Sequence, residues 1–265
     1  MIASFTQTYG DKRILELMLL KYDRIGNYFR NKCDYIIFSF HNCPPSFIEK
    51  AKEILNDIYP SEKLVYLEYE NITYYQCIEN VSKLLKEKKI TYMLQIQDDQ
   101  HGMNTEENCK NVKEIDDLFS FLDDYQPNYL HIYEKEGDKD YNKIIPLQEP
   151  KINNTCFYQY YSNEFKKVGL WGWNDGTYFI NIDLFIKVLS IIDKKEQCVW
   201  WVEWNLRTLF DETPYLRWGM NQCYFKTSNL HGRNTSKNSP VENLKQMFGE
   251  LTDWEEIQPV IQRYY

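Results

Sequence analysis

Glycine and proline are scarce in this chain, 10 and 9 among 265 residues. That excludes collagen-like and linker-like proteins. No apolar run approaches the roughly 20 residues needed to cross a bilayer. The N-terminus opens directly into Ile2-Ala3-Ser4-Phe5-Thr6, without the basic-then-apolar order of a signal peptide. The seven cysteines, at 33, 43, 77, 109, 156, 198 and 223, form no C-x-x-C pair, so neither a zinc ribbon nor a disulfide framework is indicated. There is no G-x-x-x-x-G-K-[ST] phosphate loop. Positive charge is also short: 31 Lys and Arg against 39 Asp and Glu give a net charge of -8, which disfavours a nucleic-acid partner. Disorder is excluded by 43% hydrophobic and 16% aromatic residues. The expectation is a reduced, cytoplasmic protein with no transmembrane segment, long enough for one large domain with a real core.

What is present alternates in type. Ile2 to Thr6 is a short β-branched and aromatic run with a polar end through Asp11. Apolar residues at helical spacing follow from about Lys12 to Arg30. Tyr35 to Phe40 is a continuous apolar run, as in a strand buried on both faces. Pro44-Pro45 opens a second helix, Leu64 to Leu67 is a third strand, and Asn71 is placed to cap the helix carrying Tyr75, Ile78 and Val81. Thr91 to Ile96 is a fourth strand running into Gln97-Asp98-Asp99-Gln100. Four strand–helix alternations predict an α/β, mostly parallel central sheet flanked by helices. Ligands bind such sheets beyond the carboxyl ends of the strands, so residues 6–11 and 97–100 should face one crevice. The second half adds helices near 112–124, 183–192 and beyond 202. Strands are expected near 129–133, 157–161 and 177–180, with a surface loop at 134–150. No internal repeat is present, and a single domain 1–265 is expected, residues 1 to about 100 forming one half.

Six of the seven Trp lie between 171 and 218. Most of them suit an aromatic core. One or two could instead stack flat indole faces on the C–H face of a sugar.

Asp98 and Asp99 end a buried strand. Adjacent carboxylates repel and call for a cation beside them. A hard divalent ion, Mn²⁺ or Mg²⁺, takes such oxygen ligands; a solvated Asp turn is the plain alternative. His231, in Asn229-Leu230-His231-Gly232-Arg233, could complete the ion's coordination, with Arg233 free to pair with phosphate. Glu203, near a helix start among Trp residues, suits a general base, or simply a first-turn Glu.

In this order the motifs resemble those of nucleotide-sugar-dependent glycosyltransferases of the GT-A fold, from Ile2 to about Arg233. Asp98-Asp99 looks like that family's Asp-x-Asp metal motif, although one acidic position here is an amide. Residues 169–176 look like its glycine-containing loop, and Val202-Glu203-Trp204-Asn205-Leu206 like its Glu-Asp-x-x-Leu segment. The resemblance implies a GT-A-like chain with an aromatic-rich acceptor lobe. Residues 1 to about 100 would form the nucleotide-sugar-binding half, and about 101–265 the acceptor half and C-terminal helices. Thr6, Thr8 and Tyr9 would hold base and ribose. Asp99 and His231, with Asp98 assisting, would hold the metal, and Arg233 and Lys226 would contact phosphate. Trp171, Trp173 and Trp204 would face a glycan acceptor. Glu203 would take the acceptor hydroxyl proton in an inverting transfer from a nucleoside diphosphate sugar. The alternatives are a metal-dependent nucleotidyltransferase and a non-catalytic carbohydrate-binding protein.

Overall fold

A computed structural model describes residues 1–10, 13–102, 104, 108, 112–132, 143–170, 172–173, 176–191, 199–221 and 223–227, with the backbone alone at 199–202, 226 and 227. The strands are β1 (Ile2–Tyr9), β2 (Tyr35–His41), β3 (Leu64–Tyr69), β4 (Tyr92–Gln95), β5 (Gln100–Gly102), β6 (Tyr129–His131), β7 (Lys151–Ile152), β8 (Thr155–Tyr161), β9 (Tyr178–Asn181), β10 (Leu216–Met220) and β11 (Phe225–Thr227). The α-helices are α1 (Ile14–Leu19), α2 (Arg24–Lys32), α3 (Pro45–Ile58), α4 (Tyr74–Glu87), α5 (Glu114–Tyr125), α6 (Glu164–Lys167), α7 (Ile182–Ile191) and α8 (Val199–Glu212). Nine strands follow the hydrogen-bonded order β3-β2-β1-β4-β9-β6-β10-β8-β7, and β5 pairs separately with β11. This is the α/β sheet flanked by helices that the alternation predicts, mostly parallel but mixed by antiparallel strands in its second half.

The chain forms two compact units. One comprises Ser4–Glu70, Ile96–Val112 and Tyr224–Tyr265; the other comprises Met1–Ala3, Asn71–Gln95 and Lys113–Cys223. Neither is a continuous stretch, and β1 begins in the second and continues in the first. The first is called here the β2 unit and the second the β9 unit.

In the β2 unit, β2 and β3 run parallel, from Ile36 opposite Leu64 to His41 opposite Tyr69. The β2 run is buried almost throughout, which is why it carries no polar alternation. Phe38 and Phe40 pack with Leu17 and Leu20, and with Phe47, Ala51 and Leu55 of α3. Each buried Leu or Phe of this cluster contributes roughly 1.5–3 kcal/mol by leaving water. Pro44 and Pro45 start α3 as predicted, with Pro at the first helical positions.

The single helix expected over residues 12–30 is instead α1, a 3₁₀ turn at Leu20–Tyr22, and α2. Asp23 makes the break. Its side chain accepts a hydrogen bond from the Gly26 N–H at 2.7 Å, so it caps α2 rather than continuing α1.

In the β9 unit, α4 is capped by Thr73, not Asn71. Thr73 Oγ1 accepts from the Gln76 N–H at 3.1 Å and Gln76 Oε1 accepts from the Thr73 N–H at 2.8 Å, a reciprocal box. Asn71 lies two residues upstream with φ +55°, a turn conformation that Asn tolerates. β9 runs antiparallel to both β4 and β6, while β10 runs parallel to β6. Thus β4, β6 and β10 share a direction, and β8 opposes β10. The unit's core is aromatic: Phe121 stacks on Phe157 at 3.9 Å between centroids, and Trp218 meets Phe121 edge-on at 4.9 Å. No helix among the described residues is long and apolar enough to cross a membrane.

Candidate functional site

Within the β2 unit, the segments that follow Tyr9 and Ile96 come together. The chain leaving β1 reaches Arg13 at the start of α1, and the chain leaving β4 reaches Asp98 and Asp99. Arg13 Nε lies 3.5 Å from Asp98 Oδ2, and Nη1 lies 3.7 Å from Asp99 Oδ2. One turn into α1, Glu16 Oε1 accepts from Arg13 Nη1 at 3.3 Å. One guanidinium therefore faces three carboxylates, and all four residues belong to the β2 unit.

Burial sharpens this electrostatic balance. The Asp98 side chain is only 10% exposed and that of Glu16 is fully buried. Burial pushes the Asp98 carboxyl up to about 8; Arg13 pulls it down, while Asp99 and Glu16 push it further up. Asp99 is raised for the same reason, again against Arg13. For Arg13 burial acts downward, but the three carboxylates outweigh it and raise the guanidinium above its ordinary value. Asp99 Oδ1 is a buried acceptor with no hydrogen-bond partner. Hard oxygen donors, repelling one another and incompletely satisfied, fit a Mn²⁺ or Mg²⁺ ion. Among the described residues no three His, Cys, Asp or Glu are grouped to hold a metal, and His231 and Arg233 lie outside those residues.

A second buried network underlies the first. Asp23 Oδ1 accepts from the Gly26 and Gly102 N–H groups at 2.7 and 2.9 Å. Its Oδ2 lies 3.5 Å from Arg30 Nη1 and 3.8 Å from His101 Nδ1. Burial would raise the Asp23 carboxyl, but His101, Arg30 and the Gly26 N–H hold it below the ordinary carboxylate range. The network ties the α2 start to β5, and β5 begins one residue after Asp99. β11 pairs antiparallel with β5, placing Lys226 opposite His101 and Thr227 opposite Gln100. The Lys226 side chain is outside the described atoms.

Of the residues expected to hold base and ribose, Thr6 and Thr8 are buried in β1, while Tyr9 is 60% exposed. The Tyr9 ring meets His41 of β2 edge-on at 5.3 Å. Gly10 donates its N–H to the His41 carbonyl at 3.3 Å, so β1 and β2 stay together to their ends. His41 had no signal in the sequence beyond closing an apolar run. Arg13 and Glu16 were hidden within a predicted helix. The usable clue was a basic residue shortly after a strand's polar end, where segments of an open sheet converge.

The β9 unit holds the residues expected on the acceptor side. Trp173, expected to face a glycan, is 2% exposed. It packs on Tyr129, Tyr178 and Phe210 at 5.1, 4.6 and 5.1 Å between centroids. Its indole faces are spent on the core, which corrects that expectation. Trp204 is 41% exposed on α8, beside the half-buried Glu203 on the same helix. Trp171 lies outside the described residues. Gly172 donates to Asp211 Oδ1 at 2.9 Å, and a Cβ on it would meet the Ser162 carbonyl at 2.5 Å. Only glycine fits that turn of the 169–176 segment.

No protein-family model and no curated protein sequence matches the chain. In fold it is similar to S. aureus TarS 1-349 in complex with UDP-GlcNAc, with a TM-score of 0.51 at 10% identity over 99% of this chain and 71% of that one. The same protein in complex with UDP gives 0.51 at 10% identity, over 99% and 70%. A UDP-glucose pyrophosphorylase complexed with UDP-glucose gives 0.47 at 12% identity, over 84% and 92%. The chain has a GT-A-like fold.

Proposed function

We propose that this protein is a glycosyltransferase that moves a sugar from a nucleoside diphosphate sugar to a hydroxyl of a glycan acceptor. The observation that carries the reading is the meeting of Arg13 with Asp98 and Asp99 in the β2 unit, past the carboxyl end of β1. Ligands of open α/β sheets bind at that end, and a diphosphate needs cations there. The fold likeness to TarS, whose structures hold UDP-GlcNAc and UDP, supports the same reading.

Asp99, Asp98 and His231 would hold a divalent cation, whose chemistry is to neutralise charge on the departing diphosphate. Chain length allows this for His231. It follows Thr227 by four residues, a span of at most roughly 14 Å, and Thr227 pairs with Gln100 beside Asp99. Lys226 and Arg233 would add phosphate contacts, and Tyr9 an exposed ring for the base. Glu203 would accept the acceptor proton as its oxygen attacks the anomeric carbon from the face opposite the leaving group, giving inversion. Trp204 would stack on the acceptor.

A nucleotidyltransferase would use the same acidic end and release pyrophosphate. The experiment is a thermal-shift panel of nucleoside diphosphates and nucleotide sugars, each with and without Mn²⁺. Saturation at 100 times the dissociation constant adds about 2.7 kcal/mol. Stabilisation by one diphosphate family, larger with Mn²⁺, is expected. A folded protein that ignores the whole panel would sink the reading.

A further inference from the structure

We propose that Arg13 is a resident counter-cation that makes the divalent metal and the donor diphosphate bind as a pair, an inference that rests on the function proposed above. The guanidinium spans Asp98 at 3.5 Å and Asp99 at 3.7 Å, and is anchored by Glu16 at 3.3 Å. It therefore occupies the carboxylate oxygens that a divalent ion needs. Its side chain is 26% exposed on a long flexible stem at the very start of α1, so it can leave the carboxylates without unfolding a helix.

Each ligand alone meets an obstacle of its own sign. A metal ion arriving alone must displace Arg13 and leave a like charge beside it. A diphosphate arriving alone must approach an acidic cluster whose one cation is already engaged. Arriving together, the metal takes Asp98 and Asp99 while the released guanidinium takes a diphosphate oxygen, for which its forked donors are suited. Arg13 thus moves from one anion to another, and the linkage is reciprocal.

Titration of Mn²⁺ by electron paramagnetic resonance, and of UDP, GDP and dTDP by calorimetry, tests this on the full chain. In the wild type, diphosphate should tighten Mn²⁺ about tenfold, and Mn²⁺ should tighten diphosphate by the same factor. In Arg13→Gln, Mn²⁺ alone should bind about tenfold tighter than in the wild type, whereas diphosphate with Mn²⁺ present should bind about tenfold weaker. Arg13→Lys, which keeps the charge, should leave Mn²⁺ alone near the wild-type affinity. Should the Gln variant not fold, Arg13→Met, which keeps the aliphatic stem, is measured in its place. A structural role would weaken both ligands together. Mn²⁺ binding that is unchanged or weaker in the folded variant, with a wild type that binds both ligands, overturns the role of Arg13 and leaves the proposed function standing. A wild type that binds no diphosphate with or without Mn²⁺ removes both.

Discussion

Arg30 in the β2 unit and Arg217 in the β9 unit are both almost fully buried, and they are held by different chemistry. Arg30 faces a carboxylate, Asp23, which also accepts from two backbone N–H groups. Arg217 lies over the Phe165 ring at 4.0 Å and donates to the Gly172 carbonyl at 3.3 Å. Its Nη2 is 3.4 Å from the Nδ1 of His131, whose burial and proximity to Arg217 hold that imidazole far below its ordinary value and so neutral. In the β2 unit, buried charge is used to place polar segments next to the Asp98–Asp99 pair. In the β9 unit, one buried cation is fitted into an aromatic core that depends mainly on packing. The first arrangement should be sensitive to charge and pH, and the second to volume.

The two sensitivities separate most clearly at Asp23 and Trp173. Asp23→Ala leaves Arg30, His101 and two N–H groups facing an empty space, and should cost about 3–5 kcal/mol. Trp173→Ala should cost a similar 3–5 kcal/mol, but through a cavity. Urea unfolding measures both. Lowering the pH through the folded-state titration of Asp23 should shrink the first loss and leave the second unchanged, and equal pH responses would erase the distinction.

Two carboxylates in the β2 unit should also give opposite pH dependences. Asp98 is pushed up to about 8, so its contribution is fully present below the ordinary carboxylate range and is lost as pH rises through about 8. Asp23 is held low, so its contribution is present above the ordinary range and lost as pH falls through its own folded-state value. In metal-free buffer, Asp98→Asn should flatten the fall in stability between the ordinary carboxylate range and about pH 8. Asp23→Asn should flatten the acid fall. Urea midpoints from about pH 3 to about pH 9 test this; a wild-type fall up to about pH 8 left unchanged in Asp98→Asn would count against the burial of that carboxyl.

Smaller effects sharpen the contrast. Gly102→Ala forces a Cβ to within 2.5 Å of the Gly26 nitrogen and should cost about 1–3 kcal/mol, seen as a lower Tm. Trp204→Ala, at a 41% exposed position, should change stability by less than about 0.5 kcal/mol while raising the KM for a glycan acceptor. A large drop in Tm would make Trp204 a core residue like Trp173.

Much of the molecule is legible in one dimension because its signals are local. The apolar run of β2, the Pro44-Pro45 start of α3 and the acidic pair after β4 each lie within a few residues, and all stand where expected. The break at Asp23 is not legible because helical spacing runs through it. What stops the helix is a cap that competes with the next turn, reinforced by Gly102, which is 79 residues away. The burial of Trp173 is hidden for a related reason: composition marks an aromatic-rich segment but not which rings find partners.

The alternating α/β pattern and the acidic strand end can be read from one dimension, since hydrophobic periodicity and residue adjacency are properties of a short window. What stands beside that acid pair is set by long-range folding alone. Arg13 and Asp98 are far apart along the chain, and their ion pair exists because the β2 unit folds the two segments together and burial removes the water that would screen them. The same cause separated Trp173 from Trp204: one is enclosed by partners from distant segments, and the other remains exposed on the surface of α8.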